Sequence, residues 1–189
     1  MRIGIDISQM AYEKTGVASY LGNLVENLLK IDKKNEYVLF FSSLRKKFLI
    51  SNFELLKKSQ ILSPNFKIKT FRLPQTILDF LWNRLHVFPI EWFIGDVDVF
   101  ITSDWTEPPT KNAQKATILY DLIVYKYPEE TAKKIVATQK RKLKWVKKES
   151  AVIFCISEST KRDAMEVLGI EEKRLKVVYP GRVEGWRRI

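Results

Sequence analysis

Asp121 closes the apolar run "ATILY", which places a carboxylate at the carboxyl end of what reads as a buried strand. Such a group must face a cleft or find a partner, because an uncompensated buried charge is costly. Tyr120 stands directly before it and brings a phenol. After the run "DVDVFIT" come Ser103, Asp104, Trp105 and Glu107, then Pro108 and Pro109. An aromatic ring beside two carboxylates suits a sugar: the ring stacks on C–H faces and the carboxylates accept hydrogen bonds from hydroxyls. A rigid, proline-capped surface loop would account for the same residues. Near the start, "SQMAYEKTGVASY" links a strand to a helix. Gly16 there lets backbone N–H groups face an anion, and a helix N-terminus attracts negative charge. Thr15 is placed to cap that helix, and Val17 follows the glycine. An ordinary turn would read the same way, since this is neither a GxGxxG fingerprint nor a Walker loop.

The other reactive residue types read as structural. Ser157, Glu158, Ser159 and Thr160 follow "AVIFCI" and have the pattern of a helix cap. His86, the one histidine, lies in an apolar helical segment. Cys155, the one cysteine, lies in an apolar run, reads as a small buried residue and fits a reducing cytosol. The sequence holds no metal-ligand cluster, no Ser-His-Asp candidate and no CxxC, so no metal site is expected.

The elements that would position these loops alternate in type. "RIGIDI" reads as the opening strand, and Gly4 within it is expected to let another backbone come close. "GVASYLGNLVENLLKI" repeats apolar residues at three-and-four spacing and predicts an amphipathic helix. "YVLFFS" reads as a strand buried on both faces. A basic helix is expected over 44–59, a strand in "KIKTFRL", and a helix in "TILDFLWNRLHV" that Pro89 ends. Strands follow in "DVDVFIT" and "ATILYDL". A long helix is expected over about 129–149, a strand in "AVIFCIS", a helix closed by Gly169, and a last strand in "RLKVVYP". Seven strands alternating with helices predict an α/β fold with a doubly wound parallel sheet. Ligands of such sheets lie beyond the carboxyl ends of the strands, where the four loops above belong.

Composition bounds the class. The 189 residues are 46% hydrophobic and 29% charged, as in a soluble globular protein with one sizeable core. No apolar run approaches the ~20 residues of a membrane span, and Asp6 interrupts the N-terminal apolar stretch. The net charge of +11 implies an anionic partner. Much of it lies in "KKIVATQKRKLKWVKKE", residues 133–149. That segment reads as a solvated helix face or as a helix resting on an acidic membrane surface. No nucleic-acid motif is present, and none is expected as a partner.

Taken together, these segments resemble the N-terminal domain of glycosyltransferase family 4, a GT-B fold. The likeness runs through "RIGIDI", "KTGVASYLGNLVENLL", "DVFITSDWTEPP", "ATILYDLIVYKYPEE", "AVIFCISESTKRDAMEVLGI" and "KVVYPGRVEGWRRI", in the family's order and covering almost the whole chain. "YDLIVYKYPEE" looks most like mannosyltransferase-type members acting on cell-surface polysaccharides. The resemblance implies a Rossmann-like acceptor-side domain over 1–181 and the start of an interdomain linker over 182–189. It also implies a C-terminal nucleotide-sugar domain that these residues do not include. The activity implied is retaining transfer, by a cytoplasmic enzyme, of a sugar from a nucleotide-sugar to a polysaccharide or lipid-linked acceptor. No metal or cofactor is required, because the nucleotide-sugar is a substrate. This chain alone is expected to be inactive.

Residue by residue, Gly16 and Val17 match the glycine loop that approaches the donor diphosphate, with Thr15 beside them. Asp121 with Tyr120 matches the family's His-Asp type motif, and Ser103 to Trp105 match a second loop at the cleft, to which Glu107 also belongs. Ser157 and Glu158 match a Ser-Glu pair at the last helix, and Pro180-Gly181 match the hinge. Many members have histidine where this chain has Tyr120, and some where it has Ser103. No general-base role transfers from those histidines, and a phenol of pKa near ~10 is a poor base. The alternative reading is a non-catalytic Rossmann-like binding module or partner subunit.

Overall fold

The computed structural model describes residues 1–12, 15–45 and 65–181. The basic helix expected over 44–59 lies, from residue 46 onward, outside the described residues, as does the linker at 182–189. Seven strands form one parallel sheet: β1 (Arg2–Asp6), β2 (Glu36–Ser42), β3 (Phe66–Phe71), β4 (Val99–Thr102), β5 (Gln114–Leu119), β6 (Ser150–Cys155) and β7 (Leu175–Val177). Their spatial order is β3-β2-β1-β4-β5-β6-β7, so the winding reverses between β1 and β4. Ile5 pairs with Leu39 on one side and Ile101 on the other.

Alternation along the strands sends neighbouring residues to different helices. Leu39 and Phe41 join Ile5 and Ile7 beneath α1 (Gly16–Ile31), which contributes Leu21, Val25 and Leu29. Val38 and Phe40 face the other way and pack on Leu78, Trp82 and Ile94. Burying each such aliphatic side chain contributes about 1.5–3 kcal/mol. These partners belong to α2, which runs as Gln75–Leu78 and continues as a π-helix over Asp79–Leu85, and to α3 (Glu91–Ile94). A third cluster joins Leu119, Ile153 and Cys155 to α5 (Lys133–Glu149) and α6 (Glu158–Leu168) through Leu143, Val146, Ala164 and Leu168. Cys155 is buried as expected, and burial pushes its thiol up to about 11.

Four local expectations change. A Cβ on Gly4 would meet the ring of Phe100 at 2.7 Å and Ile94 at 2.9 Å, so side chains, not a second backbone, require this glycine. α2 stops at Leu85, before Pro89, because His86 turns left-handed (φ 56). Phe88 follows in the same region (φ 63). Strain of this kind costs about 1–3 kcal/mol per residue, and the residue before a proline is normally extended. The Trp82 indole N–H donates to the Phe88 carbonyl at 3.0 Å, and the Val87 N–H donates to the Leu81 carbonyl at 3.0 Å, which hold the turn. The long helix begins at Lys133, because α4 (Ile123–Lys126) and a 3-10 turn at Pro128–Glu130 precede it. Finally, β5 ends at Leu119, so Tyr120 and Asp121 lie in the loop beyond the strand.

Candidate functional site

The crevice of a doubly wound sheet opens at the carboxyl ends of the strands flanking the reversal, here β1 and β4. β1 delivers Asp6 to that edge, buried, its Oδ1 accepting the Ser8 N–H at 2.9 Å. β4 delivers Ser103 and Asp104, and β5 delivers Tyr120 and Asp121. The Ser103 and Tyr120 hydroxyls lie 3.2 Å apart. Tyr20, on the second turn of α1, sets its ring edge-on to that of Tyr120, with centroids 5.7 Å apart. Its hydroxyl donates to the Val178 carbonyl at 3.1 Å, so the backbone leaving β7 reaches the same rim.

Asp104 is held from α5, where the Gln139 amide donates to its Oδ1 at 3.1 Å and to its carbonyl at 3.1 Å. Lys142, one turn along, is only 2% exposed and donates to the Ser103 carbonyl and, at 3.2 Å, to the Thr117 hydroxyl. The basic helix is therefore not wholly a solvated face: one of its lysines lies beneath the candidate site. Burial depresses the Lys142 pKa against the pull of Glu107, Asp104 and Asp6. Burial also raises the Asp6 carboxyl, opposed by Ser8 and Lys142. Asp104 is raised by burial and by the Asp121 charge, with Lys142 and Gln139 opposing. Burial, with the negative charges of Asp104 and Asp6, raises the Tyr120 phenol well above its ordinary value. Tyr120 is thus a hydrogen-bond donor and not a base at neutral pH. Asp121 is exposed, and its Oδ1 accepts the Ile123 N–H at 3.1 Å, which orients it at the start of α4.

The remaining predicted residues divide. Thr15 caps α1: its hydroxyl accepts the Ala18 N–H at 3.2 Å and donates to the Tyr12 carbonyl at 3.0 Å. Gly16 is exposed, and a Cβ there would meet nothing within 4 Å, so the helix entrance is open, while Val17 is half-buried. Trp105 is half-buried, and its carbonyl accepts the Asn83 amide at 2.8 Å. Ser157 caps α6 through the Thr160 N–H at 3.1 Å, as its pattern indicated. Glu107 does not reach the crevice. It is fully buried, accepts the Thr102 hydroxyl at 2.6 Å and pairs with Lys115 at 3.2 Å. A carboxylate so enclosed holds strands β4 and β5 together and is closed to an acceptor sugar. Lys115 also binds Glu149 at 2.9 Å, and Glu149 lies 3.0 Å from the His86 ring, which stacks on Trp145 at 3.5 Å. His86 is structural, as its setting predicted.

The residues that sequence reasoning missed are Asp6, Tyr20, Gln139 and Lys142. Asp6 alone had a visible signal, a carboxylate ending an apolar strand, as with Asp121. Two open cavities, of about 760 and 390 Å³, lie at the opposite edge, lined by residues such as Arg2, Asp98 and Gln114, where β1, β4 and β5 begin. That is not the end at which such sheets bind ligands. Among the described residues no group of His, Cys, Asp and Glu is placed to hold a metal ion, and no helix is long and apolar enough to cross a membrane. No protein-family model matches the chain, and no curated protein matches it significantly.

Proposed function

We propose that this chain is the acceptor-side domain of a retaining glycosyltransferase that moves a sugar, mannose in the simplest reading, from a nucleotide-sugar to a polysaccharide or lipid-linked acceptor. One observation carries the proposal. Asp104, Asp121 and the Ser103–Tyr120 hydroxyl pair converge at the reversal of the sheet, with Trp105 in the same loop as Asp104. Carboxylates that accept, a phenol that donates and an indole face are the groups a polyhydroxylated ring requires. Asp121, exposed and oriented through Ile123, is the group best placed to touch the reacting hydroxyl. Tyr120 orients the acceptor with its O–H. At the open turn of Gly16 and Val17 the α1 N-terminus, capped by Thr15, would face the negative charge that builds on a leaving diphosphate.

Saccharide binding by the 189-residue chain tests the reading without requiring turnover. Saturation-transfer NMR with a panel of mono- and oligosaccharides is expected to find a binder. Trp105→Ala and Asp121→Asn should each weaken it by at least tenfold, at unchanged circular dichroism. A panel in which nothing binds, or binding indifferent to both variants, would remove the site from consideration.

A further inference from the structure

The side opposite to α1 exposes an apolar edge that the saccharide site does not use. Between residues 77 and 92, Ile77, Phe80, Leu85, Val87, Phe88 and Trp92 all face solvent, Trp92 at 68% and Leu85 at 52% exposure. The rings of Phe88 and Trp92 lean together with centroids 5.6 Å apart. This is not a loose loop. The left-handed backbones of His86 and Phe88 are held by the Trp82 and Val87 hydrogen bonds, and the His86 ring is stacked on Trp145. A bulky residue kept in a strained conformation before proline, with its ring turned outward, points to a use for that ring.

The neighbouring surface supplies charge of one sign. Lys144 and Lys148 of α5, both exposed, lie 5.4 and 4.9 Å from the Trp145 ring centroid. The carboxylates on these elements point elsewhere. Asp79 binds Arg141 at 2.7 Å, Glu91 accepts three backbone N–H groups, and Glu149 binds Lys115. An aromatic and aliphatic ridge flanked by lysines that pair with no carboxylate among the described residues is the composition of a surface that lies in the headgroup layer of an anionic membrane.

We infer that the edge formed by α2, the 86–88 turn and α3 seats this protein on an anionic lipid surface, with Phe88 and Trp92 entering the headgroup layer and the α5 lysines meeting its charge. This goes beyond the basic helix alone and is independent of saccharide binding. Loss of one leaves the other standing.

Vesicle co-sedimentation of the 189-residue chain tests it. Binding to phosphatidylcholine vesicles containing 30% phosphatidylglycerol should exceed binding to pure phosphatidylcholine by at least tenfold and fall in high salt. Lys144→Gln with Lys148→Gln should weaken it by roughly 30-fold, about fivefold per lysine. Phe88→Ser with Trp92→Ser should weaken it by at least fivefold. Since the aromatic double variant alters a strained turn, Trp92→Phe is the control. It should keep binding but lose the blue shift of tryptophan emission that vesicles cause. Equal binding to neutral vesicles, indifference to either double variant, or a concentration-dependent dimer that the aromatic variant abolishes in place of vesicle binding would each overturn the inference.

Discussion

Lys142→Met keeps the length and apolar stem of the side chain and removes the ammonium. In the folded protein that ammonium is enclosed, donates to Ser103 and Thr117, and faces Asp6, Asp104 and Glu107. Removing one partner of a buried charge cluster leaves the others uncompensated and costs about 3–5 kcal/mol. Against a total stability of about 5–15 kcal/mol, the variant should still fold. Its melting temperature should drop by roughly 6–20 °C for a chain of this size. The loss should depend on pH in a definite direction. Asp6 and Asp104 already have raised pKa values, and without Lys142 they rise further. An acid whose folded pKa exceeds its unfolded value of about 3.9 holds its proton more tightly when folded. Its contribution therefore destabilises as pH climbs through that window, and the variant's deficit is smallest near pH 4 and grows towards neutrality. Urea unfolding of both proteins at pH 4.5, 6.0 and 7.5 measures this. Adding Asp104→Asn to Lys142→Met should recover about 0.5–3 kcal/mol at pH 7.5. A loss under about 1 kcal/mol at pH 7.5, or one equal at all three pH values, would refute the assignment of Lys142 as the counter-ion of the crevice.

Other consequences are quicker to check. Gly4→Ala should cost about 1–3 kcal/mol by chemical denaturation, since the Phe100 ring sits 2.7 Å from the new methyl. An absorbance titration at 295 nm should show both Tyr37 and Tyr120 ionising well above the ordinary phenol range, with one such tyrosine fewer in Tyr120→Phe. Thr15→Ala should lose about 0.5–2 kcal/mol of stability, because it removes the Ala18 cap. Glu107→Gln should unfold at lower denaturant than the wild type and leave saccharide binding per folded molecule unchanged, since its carboxylate faces Lys115 and Thr102.

Where the fold was legible, local chemistry agreed with tertiary packing. Thr15 and Ser157 announced α1 and α6, Gly169 (φ 62) closed the latter, and the apolar run of β2 gave a strand buried on both faces. The turn at 86–88 was not legible, because left-handed positions are normally marked by glycine and here hold His86 and Phe88. The helix before it becomes a π-helix, whose wider turn has no periodicity signature in so short a stretch. In the site, Ser103, Asp104, Tyr120 and Asp121 were visible as polar residues just past apolar strands. Lys142 was not, being one of eight basic residues in α5 whose burial only the third dimension decides. Glu107 misled for the converse reason. Beside two prolines it looks like a surface residue, and only its pairing with Lys115 from the adjacent strand takes it inside.

The central claim is sugar transfer, and the most direct measurement is transfer itself by the protein at the length it has in its source cells. Incubated with radiolabelled nucleotide-sugars and the membranes of those cells, it is predicted to label a saccharide or lipid-linked product with retained anomeric configuration. Asp121→Asn should abolish the label at unchanged folding. No transfer from any nucleotide-sugar, or transfer undiminished by Asp121→Asn, would contradict the account.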